Sequence, residues 1–361
     1  MTTPIIPREI AEGPDAIRQT VETASAAARE IAGRLARDGI RRIHLIGNGT
    51  SYHSSLAAAG LYSRCATADD PVVVPVTAGA FLAYPPDLGR HDVIVGISAS
   101  GEFRDVVAVA DTWQGRVPVI GVVHVPGSTL THVASEILMS AGGPSDVPVM
   151  TKTFSATLVA TELLLLGLLE SQRRDAVVEA IVTAADHAEA AIAAAEPIAD
   201  ELAAEIADAE HIFVVGSGLA HIAAMEAALK LKEMAIVHAE GTETWEMASG
   251  VATIVGPRSV VVAIAPAGPG RDAVADMVRH AAAWGARTIE VGPVPISPGS
   301  RLLPLSADAV EDHAPLTAVP PIARLAYALA RRRGHDPDRP DWVERYHSQG
   351  LRHILGVQEV G

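Results

Sequence analysis

Three charged residues recur down one face of an otherwise apolar stretch, IFVVGSGLAHIAAMEAALKLKEMAIVHAE, from Ile212 to Glu240. Glu226, Lys230 and Glu233 stand at i, i+4 and i+7, which is one side of a helix. Apart from Lys232, nearly everything from Ile222 to Met234 is Ala, Leu, Met or Ile, and a helix apolar almost all round is normally buried. Two carboxylates about one ammonium are costly in such a place unless they are paired or used in chemistry. If they are used in chemistry, the set offers a carboxylate able to move a proton with a cation beside it. An ion-paired stripe facing solvent has the same spacing, so the sequence alone carries both readings.

A second set of residues points to an anion. Thr50 and Ser51 follow the turn Gly47-Asn-Gly49, and Ser98 and Ser100 lead into Gly101. Hydroxyls and backbone N–H groups at helix N-termini, with glycine allowing close approach, are what a phosphate needs. Ser and Thr are also ordinary helix caps. Lys152, in Thr151-Lys152-Thr153-Phe154, is a further candidate for this site.

The elements that must hold these residues repeat. Ile43, Gly47 and Gly49 lie over Ile212, Gly216 and Gly218 at one offset of 169 residues (212 against 43), and Gly101, Arg104 and Asp105 lie over Gly268, Arg271 and Asp272 at an offset of 167 (268 against 101). Two matching blocks at nearly one period mark a tandem duplication. Strands are predicted at Ile43–Ile46, Val72–Val76, Val93–Ile97, Pro118–Val123 and Glu136–Met139, and again at Ile212–Val215, Ala252–Val255, Val260–Ile264, Thr288–Val291 and Leu302–Leu305. Strands alternating with helices give an α/β class, here two tandem doubly wound parallel sheets of flavodoxin-like type. The expected organisation is a helical segment over 1–38, a phosphate-binding domain over 39–172, a helical linker over 173–209 broken at Pro197, a second domain over 210–333 carrying the charged helix, and a tail over 334–361.

The copies differ where it matters. Thr50-Ser51 become Leu219-Ala220, and Ser98-Ala-Ser100 become Ala265-Pro-Ala267. Hydroxyls confined to one copy favour a phosphate site there over routine capping.

A formal charge of −15 argues against nucleic acid or an anionic membrane as partner. Cys65 is the single cysteine, which leaves no intrachain disulfide, and the scattered histidines form no metal-ligand pattern. No cofactor is expected. The opening MTTPIIPREIAEGPD lacks a basic region followed by an apolar one, and Leu158–Leu169 is far shorter than the roughly 20 residues of a span, so the cytoplasm is the expected location.

These motifs resemble the sugar isomerase (SIS) family with two SIS domains. The likeness is strongest to the isomerase half of glucosamine-6-phosphate synthase, with stand-alone aminosugar-phosphate deaminases and deglycases beside it. Gly49-Thr-Ser51, Ser98-Ala-Ser-Gly-Glu102, Gly127-Ser-Thr129, Thr151-Lys152, Met225-Glu-Ala-Ala-Leu-Lys-Leu-Lys-Glu233 and His238-Ala-Glu240 carry it. The resemblance implies a phosphorylated sugar or aminosugar held by Ser51, Ser98 and Ser100, proton shuttling between C1 and C2 by Glu233, support from Glu226 and Lys230, and a homodimer. It implies a glutaminase half missing from this chain, hence amine release rather than synthesis, with simple isomerisation or phosphosugar sensing as alternatives. Four positions depart from the family. Ala99 and Phe103 replace Gln and Thr of the phosphate loop, Ser249 stands where a ring-opening histidine is expected, and the tail lysine has no clear match. Arg345, His347 and His353 are the candidates for the tail's contribution.

Overall fold

The computed structural model describes residues 4–343. Residues 15–182 make one compact unit, and residues 4–14 with 183–340 make the other. Each contains one five-stranded sheet, and every strand pairing in both is parallel.

In the first unit the strands are β1 (Arg42–Gly47), β2 (Val72–Thr77), β3 (Asp92–Ser98), β4 (Val119–Val123) and β5 (Glu136–Met139), in the order β2-β1-β3-β4-β5. In the second they are β6 (His211–Gly216), β7 (His238–Glu243), β8 (Ser259–Ile264), β9 (Arg287–Gly292) and β10 (Arg301–Pro304), in the order β10-β9-β8-β6-β7. Read from the second strand of each repeat, both orders are 2-1-3-4-5, the flavodoxin-like doubly wound arrangement. The central strands are buried on both faces, which is why they read as short continuous Val/Ile runs. One core gathers Ile46, Phe81, Ile94, Val106, Val119 and Leu130, and the other Phe213, Val215, Met247, Val261, Val274 and Met277.

One strand lies elsewhere than expected. Ala252–Val255 is not a strand; Val251–Ile254 is a single 3-10 turn, and Ile254 is largely exposed. The second strand of the repeat is β7, six residues reading HAEGTE. It is an edge strand, so only part of it needs apolar side chains. Its fit depends on Gly241, where a Cβ would stand 2.4 Å from the Met225 Cα of the overlying helix. The apolar run that suggested a strand is hemmed in by Gly250 and Gly256-Pro257.

The 173–209 region holds two helices, Ser171–Ala195 and Ala199–Glu205. The stretch before residue 39 is divided. The helix Ile5–Ala11 packs with the second unit, where the Ile6 N–H donates to Asp338 Oδ1 at 2.8 Å. The helix Gly13–Arg37 belongs almost wholly to the first. Among the described residues no helix is long and apolar enough to cross a membrane.

Candidate functional site

In the first unit β1 and β3 are neighbours, while β2 lies outside β1. The chain therefore winds away in both directions from the gap between them, and ligands of such sheets bind there, at the carboxyl ends. Both hydroxyl-bearing turns sit at that point. β1 ends at Gly47, where a Cβ would fall 2.7 Å from the Ser51 carbonyl carbon, so the following helix Thr50–Cys65 starts almost against the strand. Gly49 caps that helix at φ +52°, a left-handed conformation that side chains rarely adopt. Thr50 and Ser51 are buried in its first turn.

β3 ends at Ser98, whose Oγ accepts the Gly101 N–H at 3.1 Å, and Ser100 Oγ accepts the Glu102 N–H at 3.2 Å. Gly101 has φ +69°, and a Cβ there would lie 1.9 Å from Ser128 Oγ. Only glycine fits. The next helix, Arg104–Trp113, opens two residues beyond Glu102. Glu102 reaches instead to the 127–129 turn, accepting the Thr129 N–H at 2.8 Å and the Thr129 hydroxyl at 2.6 Å.

Lys152 opens the helix Lys152–Leu166 and is buried. That helix follows β5, so its N-terminus lies at the same edge of the sheet as the two turns. A chain of contacts joins them. A Cβ on Gly143 would be 3.9 Å from Lys152 Nζ, His124 hydrogen-bonds the Gly143 carbonyl, and the His124 N–H donates to Ala99 O at 2.9 Å. The structure thus gathers Thr50, Ser51, Ser98, Ser100, Gly101 and Lys152 at one end of one sheet. It adds Glu102 and Ser128, which stood in the sequence only as members of the motifs Ser98–Glu102 and Gly127–Thr129, and His124, which no pattern in the sequence marks out. Ser128 Oγ is buried without a hydrogen-bond partner among the described residues, directly beneath Gly101.

In the second unit the charged stripe lies on the helix Leu219–Ala235, and it does not face solvent. Glu226 is 0% and Lys230 1% exposed, whereas the Glu233 side chain keeps 25% of its surface. Lys230 Nζ lies 3.1 Å from Glu226 Oε1 and donates to Glu233 Oε2 at 2.8 Å. Burial alone would push the lysine towards losing its proton, but the two carboxylates outweigh it, and its pKa is raised. The ammonium is fixed between an inner carboxylate and an outer one that reaches the surface. Three residues on, the helix ends at Ile236, a β-branched residue in the left-handed region at φ +50°, and strain of this kind gathers at functional sites.

Ser249 is not near this group. The helix bearing Glu233 runs back down the sheet to the start of β7, and Ser249 closes the helix Thr244–Ser249 at the far end of that strand. Six residues at about 3.3 Å each separate them by roughly 20 Å. The Ser249 hydroxyl donates to Trp245 O at 2.8 Å. Arg345, His347 and His353 lie outside the described residues. Among the described residues no group of His, Cys, Asp or Glu is placed to hold a metal ion.

The SIS domain model matches residues 39–167 and 205–321, one stretch for each sheet. The chain belongs to the SIS domain family. Both SIS segments carry the same strand order, so the tandem duplication is a duplication of this domain. Over 337 residues the chain is 32% identical to glutamine–fructose-6-phosphate aminotransferase (isomerizing) of Pyrococcus horikoshii, covering 92% of this chain and 56% of that one. It therefore spans little more than half the length of that relative. Among solved structures, the C-terminal domain of glucosamine-fructose-6-phosphate aminotransferase from Francisella tularensis superposes with a TM-score of 0.85 at 22% identity, over 94% of this chain and 99% of that one. Tagatose-6-phosphate ketose/aldose isomerase of Escherichia coli superposes with a TM-score of 0.77 at 18% identity, over 92% and 93%. At these identities the superpositions speak for the tandem SIS fold.

Proposed function

We propose that the chain is an enzyme acting on a phosphorylated sugar or aminosugar, interconverting aldose and ketose forms by proton transfer at Glu233. The phosphate is held by the first SIS segment, through Thr50, Ser51, Ser98, Ser100, the Gly101 backbone and Lys152. The observation that carries the reading is the buried Lys230. Placing an ammonium and a carboxylate at 1% and 0% exposure costs several kcal/mol of desolvation, and what this supports is a second carboxylate, Glu233, held at the surface through its bond to Lys230. A base for carbon acids needs a carboxylate that is fixed in place and reaches the surface.

In the open-chain sugar the Glu233 carboxylate takes the proton from the carbon next to the carbonyl, leaving an enediol-like intermediate, and returns it to the neighbouring carbon. Lys230 and Glu226 are too buried to touch substrate and act as positioning residues for Glu233. Where the substrate carries an amine, the same proton transfer turns a 2-amino aldose into a ketose imine, or a 1-amino ketose into an aldose imine, and water then hydrolyses the imine to the carbonyl and the free amine. The aminotransferase names of two of the similar proteins favour this amine-coupled form, while the ketose/aldose isomerase name favours the simple one. The chain is expected to work as a homodimer in the cytoplasm.

The test is a screen of hexosamine, fructosamine and simple hexose phosphates, read for released amine and for ketose formation. Amine release identifies the deaminase or deglycase form, and ketose without amine the simple isomerase. Phosphosugar binding with neither product means a sensor and overturns the enzyme reading. Position 249 favours that outcome, since it holds a serine where the resemblance implies a ring-opening histidine.

A further inference from the structure

The second repeat has its own pair of turns at the carboxyl ends of β6 and β8, and they are not empty. Gly218 caps the 17-residue helix Leu219–Ala235 and Gly270 caps the 13-residue helix Arg271–Ala283, so two helix N-termini converge there. The Glu311 carboxylate lies between them. Gly270 N–H donates to Glu311 Oε2 at 3.1 Å. A Cβ on Gly218 would meet Glu311 Oε1 at 2.0 Å, and one on Gly268 would meet Oε2 at 2.6 Å. The glycines that let backbone approach an anion in the first repeat, Gly49 and Gly101, have Gly218 and Gly268 as their counterparts. In the second repeat the anion they approach is a side chain of the protein itself.

The segment that delivers it is anchored by backbone. Ala267 N–H donates to Ala309 O at 3.1 Å and Glu311 N–H donates to Ala267 O at 2.9 Å, a short parallel bridge that extends the β8 turn. Glu311 itself is 9% exposed. This segment joins β10 to the helix Val319–Arg332, and its counterpart in the first repeat joins β5 to the helix Lys152–Leu166. The two repeats are therefore complementary at one place. The first has hydroxyls and a buried lysine there, and the side chain against Gly101 is Ser128. The second has alanines, a leucine and Val319 in the corresponding positions, and supplies a carboxylate.

We propose that the second repeat keeps an anion site of the same design as the phosphate cradle, and that Glu311 fills it as a built-in ligand, so that phosphate binds in the second repeat only when that carboxylate is removed. Two helix N-termini favour negative charge by a sum of terminal N–H groups and dipoles, and a tethered carboxylate answers this without a free ligand. It also lies against Gly218, at the N-terminus of the helix bearing Glu226, Lys230 and Glu233. The comparison with the first repeat rests on the proposed phosphate reading of that repeat, but the occupied site in the second does not.

Equilibrium dialysis with radiolabelled inorganic phosphate tests it, on the full chain, for wild type, Glu311→Ala, and Glu311→Ala combined with Ser98→Ala and Ser100→Ala. Glu311→Ala should bind one phosphate more than wild type, and that added equivalent should survive the serine changes. Loss of the wild-type equivalent on changing the serines speaks to the first repeat alone, so the two readings fail separately. A folded Glu311→Ala protein with the wild-type count overturns the proposal. If Glu311→Ala does not fold in chloride buffer, folding restored by phosphate at equal ionic strength supports it, and a chain that stays unfolded in phosphate overturns it.

Discussion

Replacing Glu162 with glutamine removes a carboxyl that the first unit holds in a place hostile to charge. Glu162 sits in the apolar helix Lys152–Leu166 at 3% exposure, its Oε2 meets no hydrogen-bond donor among the described residues, and burial pushes its pKa up to about 8 from 4.5. The folded chain therefore keeps a proton that the unfolded chain gives up. Stability linked to this group is present in full below the unfolded value and is lost as pH rises towards the folded one. At about 1.4 kcal/mol per pKa unit, the loss between about pH 5 and about pH 8 is roughly 3 kcal/mol. Glutamine keeps the volume and does not titrate. Its extra N–H donors add a desolvation cost of about 1–3 kcal/mol, but that cost is the same at every pH, so the comparison of slopes isolates the carboxyl. Urea unfolding across this range should show wild-type stability falling relative to Glu162→Gln by that amount. Parallel profiles for the two proteins would mean that the carboxyl is ionised or solvated in the fold, and the burial argument would be wrong.

Removing Ser98 and Ser100 hydroxyls together should weaken phosphosugar binding at least tenfold, since each charge-assisted hydrogen bond contributes about 1.5–3 kcal/mol; Ala265→Ser in the other repeat should leave titration curves unchanged. Gly101→Ala should also reduce that affinity, because the new methyl would overlap Ser128 Oγ at 1.9 Å and adopt a φ of +69°. Lys230→Met should cost about 3–5 kcal/mol by leaving Glu226 buried without its cation, and adding Glu226→Gln should recover much of it in thermal melts. Gly241→Ala should destabilise the second unit by about 1–3 kcal/mol, as overpacking does, because the Met225 backbone stands 2.4 Å from the added atom; an unchanged melting temperature would show that the helix moves away at no cost.

The parts of this molecule that follow from local rules were readable in the sequence. Nine of the ten strands stood out as short apolar runs, and the spacing of Glu226, Lys230 and Glu233 placed them on one face of one helix. Spacing could not tell a solvated stripe from a buried one. That needed the neighbouring elements, and the structure decides for burial. β7 escaped because an edge strand over a glycine-mediated helix contact needs few apolar residues, and HAEGTE has no local pattern to show. Glu311 escaped for a related reason: it lies far along the chain from the glycines it fills, and nothing near it in sequence announces a partner. The departures at Ala99 and Ser249 were plain in the sequence, but only the strand path showed that position 249 and Glu233 sit at opposite ends of β7.

The central claim is that Glu233 moves a proton on carbon, and solvent hydrogen exchange tests it most directly. A phosphosugar substrate incubated with the wild-type chain in D₂O should take up deuterium at C1 or C2, followed by NMR. In Glu233→Gln, which keeps the size of the side chain and an acceptor for Lys230, binding should persist while exchange falls by about 10²–10⁴. Exchange that continues at the wild-type rate in the glutamine variant, or a wild-type chain that binds the phosphosugar and exchanges no hydrogen, would contradict the account.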